Sequence, residues 1–418
     1  MVNTRSTKTK EKVLVPINTV IAGIDVGFNS TSIISSAKQG QIHTFPSGVT
    51  EASTRLKEGE LIDECEIPLD RMRVIVDDSI DSTLKANGKR RSFFVGENAL
   101  LLPSQDRIRR FEKDRGNDKK SQILFHTAIG YACPDVSGDY EVHLFTGLPN
   151  ENTETQIEED LRAFLEKPFD ITFINEDGDL IEKHITVVDC QIGAQPDGTL
   201  TKWRYKYNLG NASSGFLVEL VHGNQGNLGV IDIGHFTTDY CQYLNGEYVE
   251  GDVSGSETAV EELYKTMAGV ISTALSTSSM RYNVRDILLD ECVRNGGFYS
   301  YNGDQISFVK ELKKAKEYVA SHIINTIISF WSGSILEMDA VIFTGGGAEL
   351  LKEELEKELS KYNVNRATVI EQPATANVWG YYILASIIYF EDVLESNLSV
   401  ADEFLDTQIP QFMLDGAV

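Results

Sequence analysis

No Cys-x-x-Cys pair occurs in the 418 residues, and the five cysteines (Cys65, Cys133, Cys190, Cys241, Cys292) lie far apart. An odd number of scattered thiols argues against a disulfide framework and for a reducing compartment. The seven histidines do not cluster with cysteines, which leaves no zinc-type ligand set. Long apolar runs are missing too. The longest, residues 378–390, is too short to span a bilayer and reads as a buried helix. Basic charge is scarce: 38 Lys and Arg stand against 63 Asp and Glu, for a net charge of −25. That balance argues against direct contact with DNA or anionic lipid, and suits a partner with a basic face. Residues 391–418 contain no Lys or Arg, which counts against a basic amphipathic membrane-binding helix there. Residues 1–19 are basic and polar, without the apolar core of an export signal. The expected location is the cytoplasm. The Gly-x-x-x-x-Gly-Lys-[Ser/Thr] and Gly-x-Gly-x-x-Gly phosphate motifs are also absent.

What remains is an ordinary soluble composition, 41% hydrophobic and 24% charged, long enough for two domains. Short β-branched runs alternate with helical patterns, which indicates an α/β architecture. Strands are expected at 19–27, 31–36, 141–146, 185–192, 228–233, 237–243 and 340–343. Helices are expected at 156–166, 256–276, 306–331, 348–362 and 376–390. The stretch 105–122 is dense in both charge signs and reads as an exposed helix or loop, a candidate subunit contact.

A phrase repeats. Residues 24–27 read Ile-Asp-Val-Gly and residues 231–234 read Ile-Asp-Ile-Gly, 207 positions apart (232 − 25). Each closes a strand and opens a hairpin. An Asp at a strand end can hold a water on Mg²⁺, a hard ion that keeps much of its water shell. A Gly two positions later lets backbone N–H groups approach phosphate oxygens. Two such hairpins facing each other would grip a polyphosphate from both sides. A third turn, Gly345-Gly346-Gly347 after the strand at 340–343, would let backbone lie against a base or ribose. One Asp-x-Gly is usually only a turn; two in the right order with the third are a pattern.

On these residues the chain resembles the actin superfamily. Residues 21–36 resemble its first phosphate loop, 228–240 its second, 341–351 its adenosine segment, and 251–255 the segment beside ribose and phosphates. Phe94-Val-Gly-Glu97, Thr146-Gly-Leu-Pro149, Gln195-Pro-Asp-Gly198, Gly345-Gly-Gly-Ala-Glu349 and Ala376-Asn-Val-Trp-Gly380 most resemble the ParM group of plasmid-segregation actins. The resemblance implies a ribonuclease H-like, two-lobed actin fold with nucleotide in the cleft. Lobe I would be 20–195 plus 376–390 and lobe II 196–375, with an N-terminal tail at 1–19 and an acidic tail at 391–418.

It also implies ATP, with GTP possible, and Mg²⁺ held through water by Asp25 and Asp232. Nucleotide contacts would come from Asp25, Gly27, Phe28, Asn29, Ser30, Asp232, Gly234, His235, Phe236, Thr237, Asp252, Gly255, Gly345, Gly346, Gly347, Ala348 and Glu349. Glu311 or Lys314 would reach ribose or base, against the blander reading of a solvated helix face. His235 and Phe236 stand where many relatives carry small residues, which would narrow the phosphate site and leaves open whether Thr237 or the backbone makes the contact. Gln195 or Gln191 would orient the attacking water, Gln195 matching the family pattern better. The implied function is ATP-driven polymerisation with itself, coupled to plasmid DNA through a ParR-like DNA-binding adaptor, with no direct nucleic-acid or membrane partner. The alternatives are an actin-fold sugar or acetate kinase and a non-segregation bacterial actin of the FtsA or MreB kind.

Overall fold

The computed structural model describes residues 15–52, 67, 69, 72–76, 91–101, 115–175, 178–209, 226–245, 247–249, 254–256, 259–362, 367–393, 400–401 and 404–405. The first half of the chain supplies strands β1 (Thr19–Val26), β2 (Ser30–Ser35), β3 (His43–Pro46), β4 (Val49–Glu51), β5 (Arg73–Val76), β6 (Arg91–Val95), β7 (Gly138–Leu148), β8 (Phe169–Ile174) and β9 (Leu180–Ala194). They form one sheet in the order β3-β2-β1-β7-β9-β8-β5-β6-β4. Its centre, β1-β7-β9, is parallel. The second half supplies β10 (Asn227–Ile233), β11 (Thr238–Leu244), β12 (Glu247–Tyr248), β13 (Ser254–Ser256), β14 (Phe298–Tyr301), β15 (Asp304–Ser307), β16 (Ala340–Thr344) and β17 (Ala367–Val369). Here the sheet order is β12-β11-β10-β16-β17, with β13 on β11, and β14-β15 form a separate hairpin. In both sheets an antiparallel hairpin (β1-β2, β10-β11) is flanked by parallel strands (β7, β16).

The alternation of side chains explains where each half buries its faces. In β1, Val20, Ala22, Ile24 and Val26 join a core closed by helix Lys119–Ala132 and helix Gln156–Leu165. Ile21 and Gly23 face the other way, against helix Ala376–Ile388. In β10, Ile231 and Ile233 face helices Val260–Leu275 and Val309–Trp331. Leu228 and Val230 face the opposite side with Leu200 of helix Gln195–Leu209. Continuing each alternation places Asp25 on the side of helix Ala376–Ile388 and Asp232 on the side of helix Gln195–Leu209. Those two helices cross at glycines: a Cβ on Gly380 would overlap the Gly198 carbonyl, and one on Gly198 would lie 2.5 Å from the Asn377 carbonyl oxygen. The close crossing draws the two aspartate-bearing faces together.

The structure changes several expectations. The run 105–122 is not uniformly exposed. Residues 102–114 lie outside the described residues, but Arg115, Asp118, Lys120, Ser121 and Gln122 are buried. Asp118 accepts from the Ser121 N–H at 2.7 Å and caps helix Lys119–Ala132, which the charge density had masked. The 391–418 stretch is not simply a tail, because Ala401, Phe404 and Leu405 pack into the core around Trp379 and Phe390. The expected helix over 348–362 begins at the triple glycine and breaks at Leu351, as Gly345–Leu350 and Lys352–Leu359. Hairpin β14-β15 and helix Asp286–Arg294 were not anticipated.

Candidate functional site

The two repeated phrases build the same turn. The Gly27 N–H donates to the Ser30 carbonyl at 3.0 Å, and the Gly234 N–H donates to the Thr237 carbonyl at 2.9 Å. The tips then meet. Asn29 Nδ2 lies 3.1 Å from His235 Nδ1, and the Phe28 and Phe236 rings sit edge to face, 4.8 Å apart. Burial pushes the His235 pKa down, so the imidazole is neutral and its Nδ1 accepts from the Asn29 amide. The bulky pair His235-Phe236 thus links the two hairpins. The Thr237 hydroxyl donates to Asp239 Oδ2 at 3.1 Å, which commits it to a neighbouring carboxylate.

Asp25 and Asp232 come together with a third carboxylate. Asp239 is the strand partner of Asp232 across β10-β11, the position that Ser32 holds opposite Asp25 in the first hairpin. Burial, then the charge of Asp232, pushes Asp25 up to about 7. The same two causes push Asp239 up to about 7. Burial raises Asp232, opposed by the Asn377 amide, which donates to its Oδ2 at 2.7 Å. Asp25 Oδ1 is buried without a hydrogen-bond partner among the described residues. A buried, mutually repelling carboxylate set with an orphaned oxygen fits a cation, because a cation offsets the repulsion. No group of three His, Cys, Asp or Glu capable of holding a metal occurs among the described residues. The donor set therefore fits a Mg²⁺ that keeps its waters rather than one in an all-protein cage.

Two residues of this cluster escaped sequence reading. Asp239 carried a usable signal, since it follows Asp232 by the same seven positions that separate Ser32 from Asp25. Arg115 carried none, being one charge in a dense run. Its guanidinium is buried, donates to the Val26 carbonyl at 2.6 Å, lies 5.4 Å from the Phe28 ring centroid, and offsets the charges of Asp25 and Asp239. It braces the first hairpin, and its charge favours the ionised forms of Asp25 and Asp239.

The remaining candidates divide. Gln195 opens helix Gln195–Leu209 directly after β9, whose end is in register with Leu148 of β7. That places it at the C-terminal edge of the parallel strands, where Asp25 also sits. Gln191 is held within its own strand, donating to Asp189 Oδ1 at 2.8 Å. Gly255 of β13 stands opposite Asp239 in register. Asp252 lies outside the described residues. Glu311 and Lys314 lie on the exposed face of helix Val309–Trp331, the solvated-face reading. Ala348 is buried, while Glu349 is exposed.

The three glycines after β16 are not equivalent. Gly345 has φ +87°, and a Cβ there would meet the Asp232 carboxylate and lie 2.5 Å from the Ile233 carbonyl oxygen. Gly347 packs against Ile233 and Val260. Gly346 has neither constraint: a Cβ there meets no atom within 4 Å, and its φ is not left-handed. The backbone angle therefore requires glycine at Gly345 and not at Gly346. Gly346→Val is therefore expected to leave the ligand-free melting temperature unchanged while weakening nucleotide binding about tenfold, equivalent to ~1.4 kcal/mol. Gly345→Ala is expected to cost roughly 1–3 kcal/mol in every ligand state. Calorimetry with nucleotide titration separates the two, and equal stability losses in both variants would reduce the turn to a structural loop.

With this geometry in place, two family models match the chain. One describes the N-terminal domain of actin-like proteins, over residues 23–198. The other describes the C-terminal domain of archaeal MreB-like actin homologues, over residues 230–357. The chain is similar in structure to a 15-stranded ParM filament from Clostridium botulinum (TM-score 0.68, 20% identity, 88% of this chain and 99% of that one). It is similar to the archaeal actin homologue Ta0583 in complex with ADP (TM-score 0.62, 18% identity, covering 88% and 99%). It is also similar to Bacillus thuringiensis ParM with AMPPNP (TM-score 0.63, 15% identity, covering 88% and 98%). No curated protein matches the chain in sequence.

Proposed function

Since the chain belongs to the actin superfamily and carries its fold in both halves, we propose that it is a nucleotide-driven filament protein that hydrolyses ATP between its lobes. The observation that carries this reading is the pairing of two Asp-x-Gly hairpins with the same turn, with three buried carboxylates behind them. Asp25 and Asp232 would hold Mg²⁺ through its waters. A Mg²⁺ held there would supply positive charge against the phosphates of the nucleotide. The backbone N–H groups of the two turns orient the phosphates, the open face at Gly346 receives the nucleoside, and Gln195 orients the attacking water. GTP is an alternative nucleotide.

Head-to-tail contacts between identical subunits do not close on themselves, so they build an open polymer. Nucleotide that bridges the lobes favours one arrangement of the two faces, and hydrolysis removes the bridge. The likeness to ParM supports segregation of plasmid DNA in the cytoplasm as the task. The net charge of −25 supports contact with DNA through a basic, ParR-like adaptor rather than directly. No helix among the described residues is long and apolar enough to cross a membrane.

Phosphate release measured against protein concentration tests this reading. A filament ATPase turns over slowly per subunit below a threshold concentration and faster above it. A sugar or acetate kinase instead shows constant turnover per subunit and needs a phosphate acceptor. Acceptor-dependent transfer without the threshold would replace the proposal.

A further inference from the structure

Asp232 is held by a ring of buried polar groups that no phosphate-loop motif includes. Asn377 Nδ2 donates to Asp232 Oδ2 at 2.7 Å. Thr199 Oγ1 lies 2.7 Å from Asn377 Oδ1 and 2.7 Å from Thr344 Oγ1. Thr344 in turn is the register partner of Asp232 across β10-β16, and its one hydroxyl proton serves Thr199 Oγ1, with the Pro373 carbonyl 3.2 Å away as the competing acceptor. Thr199 and Thr344 are fully buried, and Asn377 and Asp232 nearly so. The ring joins four elements: β10, β16, helix Gln195–Leu209 and helix Ala376–Ile388.

The chemistry of the ring has one consistent orientation. An asparagine can turn either its oxygen or its NH₂ toward a neighbour, and only the NH₂ attracts a carboxylate. The amide oxygen can only accept, so the Thr199 hydroxyl donates to it and fixes which end faces Asp232. Thr199 and Asn377 belong to the two helices that cross at Gly198 and Gly380, so their separation is set by the crossing itself.

We propose that Thr199 and Asn377 are positioning residues for Asp232, a relay that fixes its carboxylate in the cleft and ties it to the crossing of the two interlobe helices. The inference rests on the reading of Asp232 as a metal anchor given above. Outer partners of metal-holding groups commonly change metal affinity or activity by about 10- to 100-fold when lost. Thr199→Val keeps the shape and removes the hydroxyl, while Thr199→Ser keeps the hydroxyl. In the full chain with Mg-ATP, Thr199→Val is expected to lower kcat about tenfold or more and to raise the Mg²⁺ concentration giving half-maximal rate about tenfold. Thr199→Ser should remain near wild type. Binding of a fluorescent ADP without Mg²⁺ should be unchanged in both.

A second measurement needs no nucleotide. Thr199 and Asp232 are linked through Asn377, so their substitutions should couple in melting temperature: Thr199→Val should cost clearly less in an Asp232→Asn background than in wild type. Thr199→Val and Thr199→Ser behaving alike, an unchanged Mg²⁺ requirement, or additive melting losses would each overturn the relay. A wild type that hydrolyses no nucleotide would overturn the proposed function instead, and the melting cycle would then decide the relay alone.

Discussion

Asp232→Ala is expected to lose nucleotide hydrolysis by about 10³-fold while still melting as a folded protein. Two opposing effects decide the stability outcome. Removing the carboxylate strands the Asn377 amide, which loses its 2.7 Å acceptor; an orphaned buried donor costs roughly 1–3 kcal/mol. It also removes a charge that raises both Asp25 and Asp239, which is a gain for the ligand-free protein. The two act in opposite directions, so the melting temperature should shift by only a few degrees. The metal, by contrast, loses one of its two proposed anchors, and nothing compensates for that in the transition state. Phosphate release beside calorimetry reads both quantities. Turnover at the wild-type rate would end the assignment of Asp232, and Asp25→Ala should behave in the same way.

Gln195→Ala is expected to slow hydrolysis about 10²-fold or more without preventing nucleotide binding or assembly. Losing a water-orienting group affects only the step in which water attacks. Filaments should therefore form at the usual threshold and persist longer. The choice of Gln195 over Gln191 rests on geometry as well as on resemblance. Gln191 is engaged by Asp189 in its own strand, while Gln195 sits at the first turn of a helix that begins where β9 ends. Phosphate release and filament lifetime measured together for both alanine variants settle the choice. The phenotype appearing in Gln191→Ala alone would reverse it.

Much of the fold was legible because its signals are local. The Asp-x-Gly phrases end β-branched runs, and both hairpins follow within a few residues. The triple glycine follows a short apolar strand. What could not be read depends on contacts distant in sequence. Arg115 looked like one more surface charge, and only the packing of its segment against Val26 and Phe28 makes it part of the site. Asp118, Lys120 and Gln122 misled for the same reason, since charge density predicts exposure unless partners are supplied from elsewhere. Asn377 and Thr199 are 178 positions apart and meet only because two glycines let their helices cross closely. The motif Ala376-Asn-Val-Trp-Gly380 pointed to this region through resemblance, without indicating which atom of it faces Asp232. His235 and Phe236 were visible as bulky residues in a loop expected to be small, but their meeting with Asn29 and Phe28 is a property of the paired lobes.

Light scattering of the purified full chain, with Mg-ATP, with Mg-ADP and without nucleotide, tests the central claim most directly. A threshold in the micromolar range corresponds to about −8 kcal/mol per added subunit. The account predicts a rise with Mg-ATP above such a threshold, a smaller or transient rise with Mg-ADP, and none without nucleotide. No rise at any protein concentration in any of the three conditions would contradict it, leaving an actin-fold protein that works as a single subunit.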